Sequence, residues 1–126
     1  EPRSSNQGNC GRKYSEAVGN QGRTELADKY LAEDIIQHNP NLPDGRAPLA
    51  EFIDGFHKQY PRARFEIRRA AGSGDLVFLH TRFRSDPDDR GMVVVEVFRI
   101  DEGLIVEHWD VRDEIPETTV SGHEVV

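Results

Sequence analysis

The chain has 126 residues, the usual size of a single domain, and at this length no disulfide or metal is required for stability. Its 23 acidic residues outnumber 16 basic ones, giving a formal charge of −7, which disfavours a nucleic-acid partner because no segregated basic patch offsets the repulsion. No apolar run approaches the roughly 18 residues of a membrane span, and the single cysteine, Cys10, excludes a disulfide framework without fixing the compartment.

In chain order, residues 1–12 (EPRSSNQGNCGR) are polar and rich in Gly, Ser and Asn, which predicts a flexible leader before one domain over 13–126. A short helix is expected in KYSEAV, ended by GNQG. The stretch TELADKYLAED predicts a second helix, with Thr24 as N-cap and Leu26, Tyr30 and Leu31 at helical spacing. IIQHNPNLPDGRAP, with two X-Pro steps and Asp44-Gly45, reads as a structured loop. PLAEFIDGFHKQY then places Leu49, Phe52, Ile53 and Phe56 on one helical face, with Pro48 in the first turn.

After Pro61 the period changes from helical to alternating. Strands are predicted at Ala63–Ala71, Leu76–Arg84, Met92–Ile100 and Leu104–Val111, joined by the turn-like GSGD, SDPDDRG and DEG. Such short connections make an antiparallel meander. The basic stretch RARFEIRR alternates charge with Phe65 and Ile67, as the solvated face of a strand does. The tail DEIPETTVSGHEVV is polar and broken by proline, and is expected to wrap over the domain or a partner subunit. Helices followed by strands give an α+β fold, with the helices covering one sheet face. The other face, also apolar, suits a contact between two sheets.

Within the strands, ionisable residues stand among apolar ones at matched phase. His80, Arg82 and Arg84 share a face with Leu76 and Phe78; Glu96 lies between Val94 and Phe98; His108 and Asp110 follow Leu104 and Val106, opposite Glu107 and Trp109. An ionisable group is costly to bury unless paired. An imidazole, a guanidinium and carboxylates on adjoining strands can pair with one another, and such a cluster shifts pKa values as acid/base chemistry requires. Charges at a sheet rim produce the same letters, so a pocket cluster and a structural or surface role both remain open at this point. No HxH or HExxH spacing accompanies the histidines, so no metal is expected.

YLAEDIIQHNPNLPDG together with GDLVFLHTRF, VVVEVFRIDEGLIVEHWDV and IPETTVSGH resembles the SnoaL-like, polyketide-cyclase-related branch of the NTF2-like superfamily, over residues about 20–123. The resemblance implies a cone-shaped barrel, with N-terminal helices packed in a curved antiparallel sheet and a pocket at the wide end, and a homodimer through the sheet. In the family's cyclases an Asp on the late strands acts as general acid/base beside a His, without metal or cofactor; Asp110 matches that Asp. His80 and Arg82 would line the pocket as its catalytic partners. His38 and Asn39 would lie at its mouth. Tyr30, Phe56, Glu96, His108 and, should a bulge turn it inward, Trp109 complete the ligand-contacting set. The chain departs from the family in carrying Glu96 where an Asp is usual, and VGNQG interrupts the first helix. His80 and Arg84 replace the flanking acids of the epoxide-hydrolase arrangement, and no counterpart is placed for the Tyr and buried Asp of ketosteroid isomerases.

The resemblance therefore implies a cofactor-free protein that binds a small, mostly apolar oxygenated ligand, with an aldol-type cyclase or isomerase reaction as its chemistry. The alternative is a non-catalytic ligand-binding or dimerisation module, and behind both a hydrolase. Neither nucleic acid nor membrane is expected as a partner. A cytoplasmic location is expected, a removed signal peptide being the other possibility.

Overall fold

The computed structural model describes residues 9–126. The first helix, α1, runs from 9 to 14 in α-helical form and continues as a π-helical stretch, Ser15–Asn20. A 3₁₀ turn at Thr24–Leu26 leads into the single-turn helix α2, Ala27–Tyr30. Strand β1 is Leu31–Gln37 and helix α3 is Arg46–Gln59, followed by β2 (Arg64–Ser73), β3 (Leu76–Arg84), β4 (Met92–Asp101) and β5 (Leu104–Glu114). The strands form one sheet in the order β1-β5-β4-β3-β2, with β1 parallel to β5 and every other pair antiparallel.

The α+β architecture and the four late strands agree with the sequence reading, and the first half differs in three places. Of the predicted leader, residues 1–8 lie outside the described residues, whereas 9–12 are helical. They are held there because Gly11 is buried: a Cβ on it would stand 3.2 Å from Val77 Cγ1. The helix expected over 24–34 stops at Tyr30, where Leu31 turns to extended φ/ψ of −114° and 137°. Thr24 caps nothing; its hydroxyl donates instead to Asp54 Oδ1 at 2.6 Å. The third difference is β1 itself, in a segment expected to be helix and loop. Leu31 and Ile35 are buried there, and pairing with β5 outweighs the local helix preference of LAED.

Helices α1 to α3 cover one face of the sheet. Tyr14, Val18, Tyr30 and Leu49 pack against Val77, Leu79, Phe98, Ile100 and Ile105. The alternation of β3 puts Val77, Leu79 and Thr81 on this inner face, buried, and leaves Phe78 38% exposed on the outer one. A register shift between Arg99 and Ile100 makes Val106 an extra residue on β5, so buried Ile105 joins the inner face with His108 instead of opposing it. Beyond this bulge the alternation is regular: His108, Asp110 and Arg112 point inward, and Glu107, Trp109 and Val111 outward. No helix among the described residues is long and apolar enough to cross a membrane.

Candidate functional site

A cavity of about 290 Å³ opens between α1, α3 and the inner sheet face. Its wall is apolar, built from Leu42, Leu49, Phe52, Ile53, Phe56, Phe65, Phe83, Met92 and Val94. Three of these rings are packed in series: Phe56 lies 5.7 Å from Phe83, which lies 4.8 Å from Phe65. Helix α3 presents this wall because Phe52, Ile53 and Phe56 fall on one helical stripe. Pro48 fits in the first turn, where a missing N–H costs nothing.

The polar end of the cavity comes from the β4–β5 ladder. Glu96 stands directly across from Asp110, and Phe98 across from His108. The three ionisable side chains keep only 15%, 12% and 12% exposure for Glu96, Asp110 and His108. Two carboxylates opposed on an antiparallel pair repel each other, and the neighbours here offset that. His108 Nε2 lies 3.0 Å from Glu96 Oε1 and 3.9 Å from Asp110 Oδ2. Asn39 donates its amide Nδ2–H to Asp110 Oδ2 at 2.8 Å.

Backbone donors fix which way both amides point. The N–H of Asn41 donates to Asn39 Oδ1 at 2.9 Å, so the Asn39 NH₂ must face Asp110. Likewise the N–H of Asn39 donates to Gln37 Oε1 at 3.0 Å, and that same oxygen lies 2.7 Å from His108 Nδ1. His108 Nδ1 therefore carries a proton, and its Nε2 is the nitrogen that exchanges a proton with Glu96. Flipping Gln37 would set N–H against N–H; its Nε2 stays buried, without a partner among the described residues, as a result.

Burial alone would depress the His108 pKa, but the hydrogen bond and charge of Glu96, joined by the charge of Asp110, outweigh it and raise the value above the ordinary 6.5. A folded-state pKa above the unfolded one means the protonated His108 stabilises the fold. That contribution is complete below about 6.5 and disappears as pH rises through the raised folded value. Urea unfolding from pH 6 to 9 is expected to show stability falling over this window, and His108→Gln is expected to flatten the slope. An equally steep slope in the variant would show that another group titrates.

Tyr14 reaches the same end of the cavity from α1. Its ring packs edge-on against Phe98 at 5.8 Å. Burial, and then the nearby Glu96 charge, push its phenol far above the usual range, so it stays protonated. The π-helical stretch after it is tied at two points. Asn20 bonds both the N–H and the C=O of Phe65, at 2.6 and 2.9 Å, and His57 Nε2 meets Gly19 O at 2.7 Å.

Of the residues expected from sequence, Asp110, Asn39, Phe56, Glu96 and His108 come together at this cavity. His80 and Arg82 do not, and their expected role beside Asp110 is corrected. They lie on the outer face of β3, because the inner positions are taken by Leu79 and Thr81. His80 Nδ1 meets the Arg69 guanidinium, and Arg82 donates to the carbonyl of Arg90 at 2.9 and 3.1 Å. His38 and Trp109 are outward as well. Their rings stack at 4.8 Å, and His38 Nε2 lies 2.7 Å from Glu107 Oε2. Hydrogen bonds from His38 and then Arg99 hold the Glu107 carboxyl below the usual range, against the opposing effect of burial. Tyr30 is a core residue, 6.4 Å from Tyr14 and away from the cavity lining. Tyr14, Gln37 and Arg112 were not foreseen. Gln37 had one signal, its place beside the HNP segment that carries Asn39.

One nitrogen and two carboxylate oxygens of His108, Glu96 and Asp110 lie within 4.8 Å of one another, so these are the residues that could hold a divalent cation. The spacing of His108 Nε2 to Glu96 is that of a shared proton.

A family model described as the SnoaL-like domain matches residues 12–108. No curated protein matches the chain. Among solved structures, a protein described as a candidate SnoaL-like polyketide cyclase from Jannaschia sp. CCS1 superposes with a TM-score of 0.75 at 14% identity, covering 90% of this chain and 89% of its own. A candidate ketosteroid isomerase from Kribbella flavida gives 0.74 at 22% identity, covering 92% and 84%. IdmH, a candidate polyketide cyclase from Streptomyces antibioticus, gives 0.67 at 21%, covering 85% and 91%. At these identities the likeness establishes the cone fold.

Proposed function

We propose, on the premise that the chain belongs to the SnoaL-like domain family, that it binds a small, mostly apolar oxygenated ligand and moves a proton next to its carbonyl group. The observation that carries this reading is the Asp110 carboxylate, 12% exposed, at the polar end of an apolar cavity. One of its oxygens is oriented by Asn39, and the other has no protein partner among the described residues. Asp110 takes the proton from the carbon beside the carbonyl. The Glu96–His108 pair and the Tyr14 O–H supply hydrogen-bond donors for the oxygen that gains charge. Because His108 already carries a proton on Nδ1, it returns only the Nε2 proton. The structural neighbours described as polyketide cyclases and a ketosteroid isomerase support the same chemistry.

A small apolar ketone such as 2-tetralone is the test ligand. Deuterium entry at its activated carbon in D₂O, followed by NMR, should be accelerated by the protein and not by Asp110→Asn. Binding of the ketone with no acceleration would leave a non-catalytic binding module as the better description. The arrangement that would have favoured that module from the start, Asp110 locked against Arg82 without an adjoining cavity, is absent among the described residues.

A second copy of the chain is the proposed partner, through the outer sheet face. Phe78, Ile36 and Val111 are 38%, 41% and 67% exposed there, more apolar surface than a lone sheet face usually offers water. Arg82 lies on the β3 side of this face and Asp113 on the β5 side, so a two-fold axis near β4 sets opposite charges against each other. Light scattering is expected to give a dimer, and the pair Phe78→Glu and Val111→Glu to give a monomer. A monomeric wild-type protein at 100 μM would overturn this.

A further inference from the structure

Arg112 stands two residues beyond Asp110, and the alternation of β5 returns it to the inner face. It pairs across the ladder with Val94 and lines the cavity where β5 leaves the core and becomes exposed. The other arginines of the sheet's central strands are engaged: Arg82 with Arg90 O, Arg84 with Glu66, Arg99 with Glu107. Arg112 makes no ion pair or side-chain hydrogen bond among the described residues, in a chain where acids outnumber bases 23 to 16. It is the one Lys or Arg among the lining residues.

An exposed arginine on its own needs only water. The position of this one gives it more. The cavity is apolar along Phe52, Phe56 and Phe83, acid/base at Asp110, and cationic at its rim. Two residues of strand separate the last two features by roughly 7 Å. A guanidinium offers a planar fork of donors that fits a carboxylate. We infer that the ligand is an apolar carbonyl compound that also bears a carboxylate, several bonds from the reacting carbon, and that Arg112 selects it. The charge at the rim also counters the repulsion that the Glu96–Asp110 end would exert on an anionic ligand. This inference rests on the cavity being the ligand site.

The test is isothermal titration of the full chain with 2-naphthoate and with its neutral methyl ester, at low salt. Wild-type protein should bind the acid roughly three- to tenfold more tightly than the ester. Arg112→Gln should bind the two alike, Arg112→Lys should keep part of the preference, and the outer-face control Arg82→Gln should keep all of it. Equal affinities in the wild type, or a preference that survives in Arg112→Gln, would overturn the inference and leave the ligand pocket standing. Should neither compound bind, the pocket reading falls and this inference falls with it.

Discussion

Under the proposed role, replacing Asp110 by Asn is expected to lower α-proton exchange by roughly a hundred- to ten-thousand-fold, the usual contribution of a positioned general base. The substitution is nearly isosteric and keeps an oxygen for the Asn39 amide to bond, so the loss measures basicity and not shape. It also removes one of the two charges that raise the His108 pKa. In the variant, the NMR titration of His108 should move toward lower pH while its Nδ1 contact with Gln37 is unchanged. Rate loss with an unchanged His108 titration would separate the base from the imidazole. Retention of full exchange activity would assign the chemistry to Glu96, whose carboxylate stands opposite.

Phe98→Ala destabilises the protein by about 3–5 kcal/mol, the usual cost of truncating a fully buried aromatic ring. Phe98 is 1% exposed, takes the edge of Tyr14 at 5.8 Å, and lies under the His108 ring at 5.3 Å and 26°. The collapse of this one ring therefore loosens the hydrophobic centre and the floor of the acid/base site together. Urea unfolding gives the size of the loss; Phe98→Leu, which keeps more of the volume, should lose less. A loss below about 1 kcal/mol for the alanine variant would mean that the core does not close over this position.

The late strands were legible because each one alternates within a few residues and its partner is its neighbour in sequence. Strand β1 was not. LAEDIIQ contains no breaker, and the partner that makes it a strand is β5, far along the chain. The site divides in the same way. Alternation correctly grouped His108 with Asp110 and opposed them to Trp109. Alternation states which residues share a face but not which face turns inward, and both faces of β3 carry large apolar side chains. His80 and Arg82 were therefore assigned to the wrong side of a correctly placed strand. The bulge at Val106 moved Ile105 across the sheet for a reason local to the β4–β5 register. Tyr14 was hidden by its polar helical neighbours; only the packed structure shows a buried phenol near Glu96.

The parallel contact between β1 and β5 also sets a clock. Asn39 and Asp110 meet across 71 positions of sequence, as do Gln37 and His108. A chain emerging from the ribosome can complete its hairpins from β2 to β4 while Gln37 and Asn39 still lack their partners on β5. Loop-closure entropy delays such distant pairings in any folding chain. The Glu96–His108–Asp110 cluster is thus completed by the last strand to be made, in the same step that seals the sheet.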